Sequence, residues 1–259
     1  MEQSRLLLER KGVRVAAVSY DAQDALLAFA QKYQIGFPLL SDWESAVICS
    51  FRIFNTNIAP GLRAHGVPHP VEYLVSPDGI VLRKYFVPNY QHRVTASAVV
   101  LRQFGVAGED APLVTLRSGA LTVEVGLSTA KAFAGQEISF FAKFLLEPGW
   151  HVYGALLPNA YTPTSVSFDD PKISGQSFEL PPPDAREIAP LGEVLPVYGG
   201  AFQGSGSLLL RFPLDAGRIK LFGQVRFQQC SDTICEAPET IGFELPLTLE
   251  PFMVATGSK

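Results

Sequence analysis

The sequence predicts an α/β domain followed by an all-β sandwich. Residues 1–105 alternate helical and strand patterns, whereas residues 114–250 carry short strand patterns only. Between them Gly105-Val-Ala-Gly-Glu-Asp-Ala-Pro112 is small, polar and helix-breaking, and no periodicity crosses it. The expected organisation is a domain over 1–105, a linker over 106–113, a sandwich over 114–250 and a tail over 251–259.

In the first domain, residues 2–10 read as a helix with Leu6, Leu7 and Leu8 as its apolar residues, ended by Gly12. Val13–Tyr20 follows as a valine-rich strand. Asp21 is placed to cap a second helix that buries Leu26, Leu27, Phe29 and Ala30 and carries Tyr33 near its end. Gly36–Leu40 is a short extended segment, and Ser41 or Asp42 caps a third helix running to Phe51. After a loop from Asn55 to Val67, Pro70–Phe86 alternates on both sides of Asp78-Gly79, a strong hairpin signal. A last helix spans His92–Phe104.

In the second domain the expected strands are Leu113–Leu116, Leu121–Leu127, Glu137–Leu146, Ser165–Phe168, Ser207–Phe212, Lys220–Phe227 and a final strand from Glu239. Leu121-Thr-Val-Glu-Val-Gly-Leu127 alternates cleanly, and Pro and Gly crowd the loops, as in Leu180-Pro-Pro-Pro-Asp184. Short, regularly spaced strands of this kind argue for a sandwich. Gly199–Gly206 is glycine-rich but precedes a strand, so it is no phosphate loop.

Composition excludes several functions. At 259 residues with 47% hydrophobic and 18% charged content, the chain has material for two cores. A net charge of −4 argues against nucleic acid as a partner. No apolar run approaches the roughly 18 residues of a membrane span, so no membrane insertion is expected. The opening Met1–Arg10 is charged and amphipathic and does not read as an export signal. No metal, flavin or nucleotide motif is present, so no cofactor is expected. His65 and His69 lack a clustered carboxylate and read as turn residues.

Two of the three cysteines lie close together, in Cys230-Ser-Asp-Thr-Ile-Cys235. Gly223–Gln229 and Glu239–Leu245 flank them with strand-like alternation, and Ser-Asp-Thr-Ile fits a four-residue hairpin loop. Facing residues of an antiparallel pair are close enough to be bridged by a disulfide. A bond closing so short a loop gains little chain-entropy stabilisation, which favours reversible redox chemistry; a structural staple and metal ligation are the alternatives. Val225 and Phe227 share one parity while Cys230 has that of Arg226 and Gln228. A bulge therefore precedes Cys230, or its sulfur lies off the core face.

Val13–Tyr20 with Asp21, Phe37-Pro-Leu-Leu-Ser-Asp42, Gly66-Val-Pro-His-Pro70 and Pro77-Asp78-Gly79 carry a resemblance to AhpC/TSA-type redoxins, peroxiredoxin-like proteins of thioredoxin fold. The resemblance implies a thioredoxin-like α/β domain with Pro70 as a cis-proline. The family's first strand and the reactive cysteine after it are absent, so the domain is incomplete and no peroxidase activity is expected. Cys49, in the third helix, is expected as a small core residue. Without that central strand, 13–20 and 70–76 would flank a gap. The chain is then a truncated reading of a longer gene, or the two strands close on each other, or another chain fills the space.

Pro148-Gly-Trp150-His-Val-Tyr153, Tyr161–Phe168, Val197-Tyr198-Gly199 and the segment from Phe227 through Cys230 and Cys235 to Thr240 resemble the N-terminal, immunoglobulin-like domain of thiol:disulfide interchange protein DsbD. That resemblance implies a thiol–disulfide oxidoreductase, with Cys235 forming the mixed disulfide and Cys230 resolving it. Val197, Tyr198 and Gly199 would form a cap loop over the sulfurs. Trp150 and Tyr153 would wall the site or serve as core aromatics, and Glu193 or Asp232 would tune the thiols. The implied partners are thioredoxin-like redox proteins and a membrane thiol carrier, and the implied compartment is the periplasm or cell envelope. The alternative function is a non-enzymatic module with a bracing disulfide, or the docking domain of a peroxiredoxin-like enzyme.

Overall fold

The structure, a computed structural model, describes residues 2–62, 65, 67–86, 93–108, 110–155, 157, 161–188 and 192–251. The tail beyond 251, Gly66 of the redoxin motif, His92 as a helix start and Glu109 of the linker lie outside the described residues. The chain divides into two compact units, Met1–Ala96 and Ser97–Lys259.

The first unit contains α1 (Glu2–Arg10), β1 (Ala17–Ser19), α2 (Gln23–Tyr33), β2 (Leu39–Ser41), α3 (Ala46–Ser50), β3 (Val71–Val75), β4 (Val81–Phe86) and β5 (Arg93–Val94). The expected helix–strand order is therefore observed. β1 and β2 pair in parallel, with Val18 opposite Leu40. β3 and β4 form the hairpin expected at Asp78-Gly79, where Gly79 takes the positive φ (83°) that such a turn requires. Asp42 fastens the start of α3, accepting from the backbone N–H groups of Val47 and Ile48 at 3.1 and 2.8 Å.

Several expectations for this unit are corrected. Asp21 does not cap α2: its carboxylate accepts from the Ser19 hydroxyl, and the cap position falls on Ala22 without a side-chain bond. The peptide bond into Pro70 is trans; among the described residues the cis bond lies at Phe212–Pro213. Trans is the favoured isomer of any X–Pro bond unless packing selects the other. Cys49 is exposed, because Ile48, one step round the helix, takes the inward position at 2% exposure. Among the described residues no ladder joins β1 to β3: each pairs only with its own neighbour.

The second unit begins within α4 (Ala96–Phe104), whose Ala98, Val100 and Leu101 are buried and whose Arg102 pairs with Glu137. The strands are β6 (Leu113–Ser118), β7 (Leu121–Leu127), β8 (Lys131–Ala132), β9 (Gln136–Leu146), β10 (His151–Tyr153), β11 (Ser165–Phe168), β12 (Ile173–Glu179), β13 (Asp184–Ile188), β14 (Glu193–Gly199), β15 (Ala201–Leu210), β16 (Gly217–Phe227), β17 (Gln229–Cys230) and β18 (Glu239–Leu249). One layer of the sandwich runs β12-β15-β9-β7-β6, the other β11-β16-β18-β8. Period-2 alternation turns Leu121, Val123, Phe140 and Phe144 of the first layer toward Leu221, Val225, Phe243 and Leu245 of the second. Phe168 meets Phe140 and Phe243 edge-on at 5.0 and 5.3 Å, joining the layers.

The glycines of β15 answer to this packing. A Cβ on Gly206 would fall 2.1 Å from the Ser177 carbonyl oxygen and 2.5 Å from the Phe140 ring. A third sheet, β13-β14-β10-β17, forms a separate ladder that packs Val152 and Tyr198 into the core and carries Cys230.

Candidate redox site around Cys230 and Cys235

The β16–β18 ladder ends where Phe227 faces Glu239, and the chain then leaves that sheet. Cys230 does not continue β16; it pairs with His151 of β10, two residues into the third sheet. This sheet switch explains the parity mismatch. Cys230 is buried, but in a separate small cluster with Tyr153, Leu195 and Val197 rather than in the sandwich core. The four-residue loop expected between the cysteines is observed, closed by an antiparallel bridge from Cys230 to Cys235, and it belongs to a fold of residues 228–238 that intervenes between β16 and β18. Two glutamines hold its base. Gln228 accepts from the Thr162 N–H at 3.0 Å and donates to the Glu236 carbonyl at 3.1 Å. Gln229 accepts from the Ala120 N–H at 3.0 Å. Both residues are buried, and these bonds anchor the loop where it leaves the body.

Cys230 and Cys235 form a disulfide, their Cα atoms 4.1 Å apart and bridged as an isolated antiparallel pair. The Ser231 N–H donates to the Ile234 carbonyl at 2.7 Å, and the Ser231 hydroxyl oxygen accepts from the Ile234 N–H at 3.1 Å, closing the tip. The two cysteines differ sharply in environment: Cys230 is 1% exposed, while Cys235 is exposed to solvent.

Tyr153 lies beneath both. Its O–H is 3.3 Å from Cys230 Sγ and 3.4 Å from Cys235 Sγ, and the side chain is wholly buried. A disulfide sulfur has no proton to give, so the phenol is the donor. Burial raises the Tyr153 pKa, with the neighbouring Tyr161 adding to the effect, which keeps the phenol protonated and able to donate. Tyr161 packs on Tyr153 at 4.8 Å and donates its O–H to Glu193 at 3.1 Å.

The cover over Cys230 comes from β14. Tyr153 pairs with Val197 across β10 and β14, and Leu195 lies two residues along on the same face. Tyr198, of opposite parity, turns into the sandwich core, stacks on Phe202 at 4.5 Å and donates to the Pro181 carbonyl at 2.6 Å. Gly199 pairs with His151. Trp150 packs against the sandwich core and lines an open cavity of about 640 Å³ with Ser118, Gln229, Glu236 and Pro238. Of the two acids considered for thiol tuning, Asp232 pairs with Arg186 and Glu193 with Tyr161. Pro70 belongs to the first unit.

Sequence reasoning missed Leu195, His151, Arg186 and the two glutamines. Alternation along Leu195-Pro-Val197-Tyr198 was the available signal for Leu195 and against Tyr198. His151 is 2% exposed; its Nδ1 accepts from Arg186 at 3.4 Å, which leaves the proton on Nε2, a buried atom without a partner among the described residues. Its pKa is lowered, first by burial and then by the Arg186 charge, against an opposing pull from Asp232. Among the described residues no group of His, Cys, Asp and Glu is arranged to hold a metal ion.

A disulfide lies on an immunoglobulin-like β domain, in a chain that also carries a redoxin-type region. The AhpC/TSA family model matches residues 2–84, and the model for thiol:disulfide interchange protein DsbD, N-terminal, matches residues 124–246. Each half is therefore similar to a thiol-redox module, and together with the disulfide they indicate thiol–disulfide redox or electron-transfer function. No curated protein matches the chain. Among solved structures, the N-terminal periplasmic domain of ScsB from Proteus mirabilis is 17% identical with a TM-score of 0.40, the match covering 53% of this chain and 50% of that one. The Neisseria meningitidis DsbD N-terminal domain in the reduced form is 14% identical with a TM-score of 0.29, covering 54% and 90%. The chain thus spans half the length of the ScsB structure it matches.

Proposed function

We propose that the chain is a thiol–disulfide exchange protein that passes electron pairs between Cys230–Cys235 and thioredoxin-like partners. One observation carries this reading: an exposed cysteine is bonded to a buried one whose sulfur rests against a protonated phenol. The arrangement gives the two sulfurs different roles. A partner thiolate attacks Cys235 Sγ and forms a new disulfide with it. The Cys230–Cys235 bond breaks, and its electron pair leaves on Cys230 Sγ. Tyr153 O–H donates to that thiolate until solvent supplies a proton. The partner's second thiolate then attacks the partner's sulfur in the mixed disulfide, closing the partner's own disulfide and releasing Cys235 as a thiolate. Two electrons have moved, and the reverse sequence reduces a partner disulfide. Ile234, 55% exposed beside Cys235, offers an apolar landing point for the partner.

The DsbD likeness supports thioredoxin-like proteins as partners, a membrane thiol carrier at the other end of the relay, and the periplasm or cell envelope as the compartment. With a sequence separation of 5, the disulfide constrains the unfolded chain little, which weighs against a purely bracing role. The test is a redox titration of the full chain in glutathione and dithiothreitol buffers, with thiols trapped and counted by mass. A reversible midpoint above about −300 mV supports exchange. A pair that stays oxidised until the protein unfolds refutes it and leaves the bracing module.

A further inference from the structure

The turn between β6 and β7 and the chain that returns after Cys235 line the open cavity of about 640 Å³ beside Trp150. That volume falls in the range of ligand pockets, about 300–1,000 Å³. Trp150 and Pro238 give it apolar wall, Glu147, Glu236 and Glu239 give it carboxylates, and no basic residue lines it. Glu239 accepts from the Ser118 hydroxyl at 2.6 Å. Glu147 and Glu236 are exposed, and their carboxylates have no partner among the described residues. Three acids alone would make an ordinary solvated face. The floor is different. Gln229 is 5% exposed; its Oε1 accepts from the Ala120 N–H, while its Nε2 has no acceptor among the described residues. Unlike the orphaned Nε2 of His151, this nitrogen is not sealed from solvent, so it opens on the cavity. Gly119 makes room for it, since a Cβ there would fall 2.4 Å from that nitrogen. A buried amide donor left without a partner calls for a carbonyl.

We infer that this cavity receives a lysine- or arginine-bearing segment of the thioredoxin-like partner, close in sequence to that partner's reactive cysteine. The inference rests on the exchange reading above and adds how the partner is chosen. Glu236 follows Cys235 directly, so the cavity begins one residue from the sulfur that is attacked. Ile234 and Glu236 flank Cys235, giving the partner an apolar contact on one side and an acidic hollow on the other. A long cationic side chain suits the hollow: its methylenes cover Trp150 and Pro238 while its head meets Glu147 and Glu236. The peptide carbonyl beside it accepts from Gln229 Nε2. An acidic segment would be repelled, and a wholly apolar one would desolvate carboxylates without pairing them.

The test reduces Cys230–Cys235 with blocked dithiol peptides that differ only in carrying lysine, norleucine or glutamate a few residues beyond the first cysteine. Second-order rates are compared for the wild-type chain, Glu147→Gln/Glu236→Gln, and a control of equal charge change, Glu244→Gln/Glu250→Gln. The control acids lie toward the far end of β18, paired with Lys220 and Lys131. Each peptide's intrinsic reactivity cancels when its rate is compared across variants. The expected lysine-over-norleucine ratio in wild type is about twofold to fivefold, the span of an exposed ion pair, and it collapses at high salt. The control keeps the ratio, and the cavity variant loses it. A ratio that survives in the cavity variant overturns the inference, as does an equal loss in the control, which would make net charge the cause. A second readout is independent of exchange: the Gln229 side-chain amide signals in the nuclear magnetic resonance spectrum shift with a serine-for-cysteine lysine peptide and not with its glutamate counterpart. No shift with the lysine peptide places the cation elsewhere and overturns the cavity. Failure of all three dithiol peptides to reduce the folded wild-type pair would instead sink the exchange reading itself.

Discussion

Replacing Tyr153 by Phe removes one oxygen and leaves the ring that packs on Tyr161 and closes the floor beneath the disulfide. That oxygen carries the phenol proton shared between the two sulfurs, at 3.3 and 3.4 Å. In the oxidised protein its partners are weak, neutral acceptors. Once the bond is cleaved, Cys230 is a buried thiolate and the same O–H becomes a charge-assisted donor, a bond worth about 1.5–3 kcal/mol against about 0.5–1.5 for a neutral one. The reduced state therefore loses roughly 1.5 kcal/mol more than the oxidised state when the hydroxyl is removed. For a two-electron couple this lowers the midpoint potential by about 30 mV. It also raises the Cys230 pKa by about one unit. Side-by-side redox titration of wild type and Tyr153→Phe at two pH values on either side of the thiol pKa reads both quantities. Below that pKa the reduced thiol is protonated and the difference in potential shrinks. Equal potentials at both pH values, with an unchanged thiol pKa, would refute a thiolate-stabilising role for the phenol.

The remaining expectations follow from the same geometry. Cys230→Ser should trap a stable mixed disulfide between Cys235 and a thioredoxin-like protein, visible by non-reducing mass analysis; Cys235→Ser should leave Cys230 unreactive to a bulky maleimide until the protein is unfolded, and prompt labelling would contradict its burial. Leu195→Ala should cost about 2–3 kcal/mol in chemical denaturation, toward the low end for a buried leucine because it sits in a small cluster. His151 has a folded pKa below the usual value near 6.5, so the stability tied to its neutral form is complete above that value and is lost as pH falls through the folded pKa. Melting temperature against pH should therefore drop on that side in wild type and more shallowly in His151→Gln. Gln229→Ala should destabilise the fold by about 1–3 kcal/mol by stranding the Ala120 N–H, an effect absent if water replaces the side chain.

The parts of this molecule that were legible in sequence are those where one pattern persists. β7 and β9 alternate over long stretches because each faces one continuous core, and Asp78-Gly79 marks its hairpin because the turn needs a positive φ. The sheet that carries the site was not legible. β10 is three residues long, β17 two, and β14 is interrupted by Pro196, so none offers enough residues for a period to show. Arg186 belongs to a polar strand, Asp184-Ala-Arg-Glu-Ile188, that covers only a local cluster and so carries no core stripe. One misfit did mark the place: the parity of Cys230 left open that its sulfur lies off the sandwich core. The parity of Tyr198 relative to Val197, which separates the core aromatic from the covering residue, went unread. The order of residues along a family motif tells which positions lie near a site; only strand parity tells which of them face it.

The separation of this site from the sandwich core has a mechanical consequence. Exchange requires Cys235 to move away from Cys230, and in a close-packed interior any such displacement would be felt by every neighbour. Here the moving loop spans Ser231–Cys235, tied across its tip and anchored at its base by Gln228 and Gln229, which bond to the body outside the loop. Phe227, the last residue before that base, is already fully buried in the main core. The break between β16 and β17 thus isolates the sulfur chemistry from the two layers that stabilise the domain. The small cluster of Tyr153, Leu195, Val197 and Cys230 can loosen on reduction while Phe140, Phe168 and Phe243 stay packed. Hydrogen exchange of the reduced and oxidised forms should then differ in β13, β14 and β17 and agree across β7, β9 and β18; changes spread through both layers would show that the site and the core are one cooperative unit.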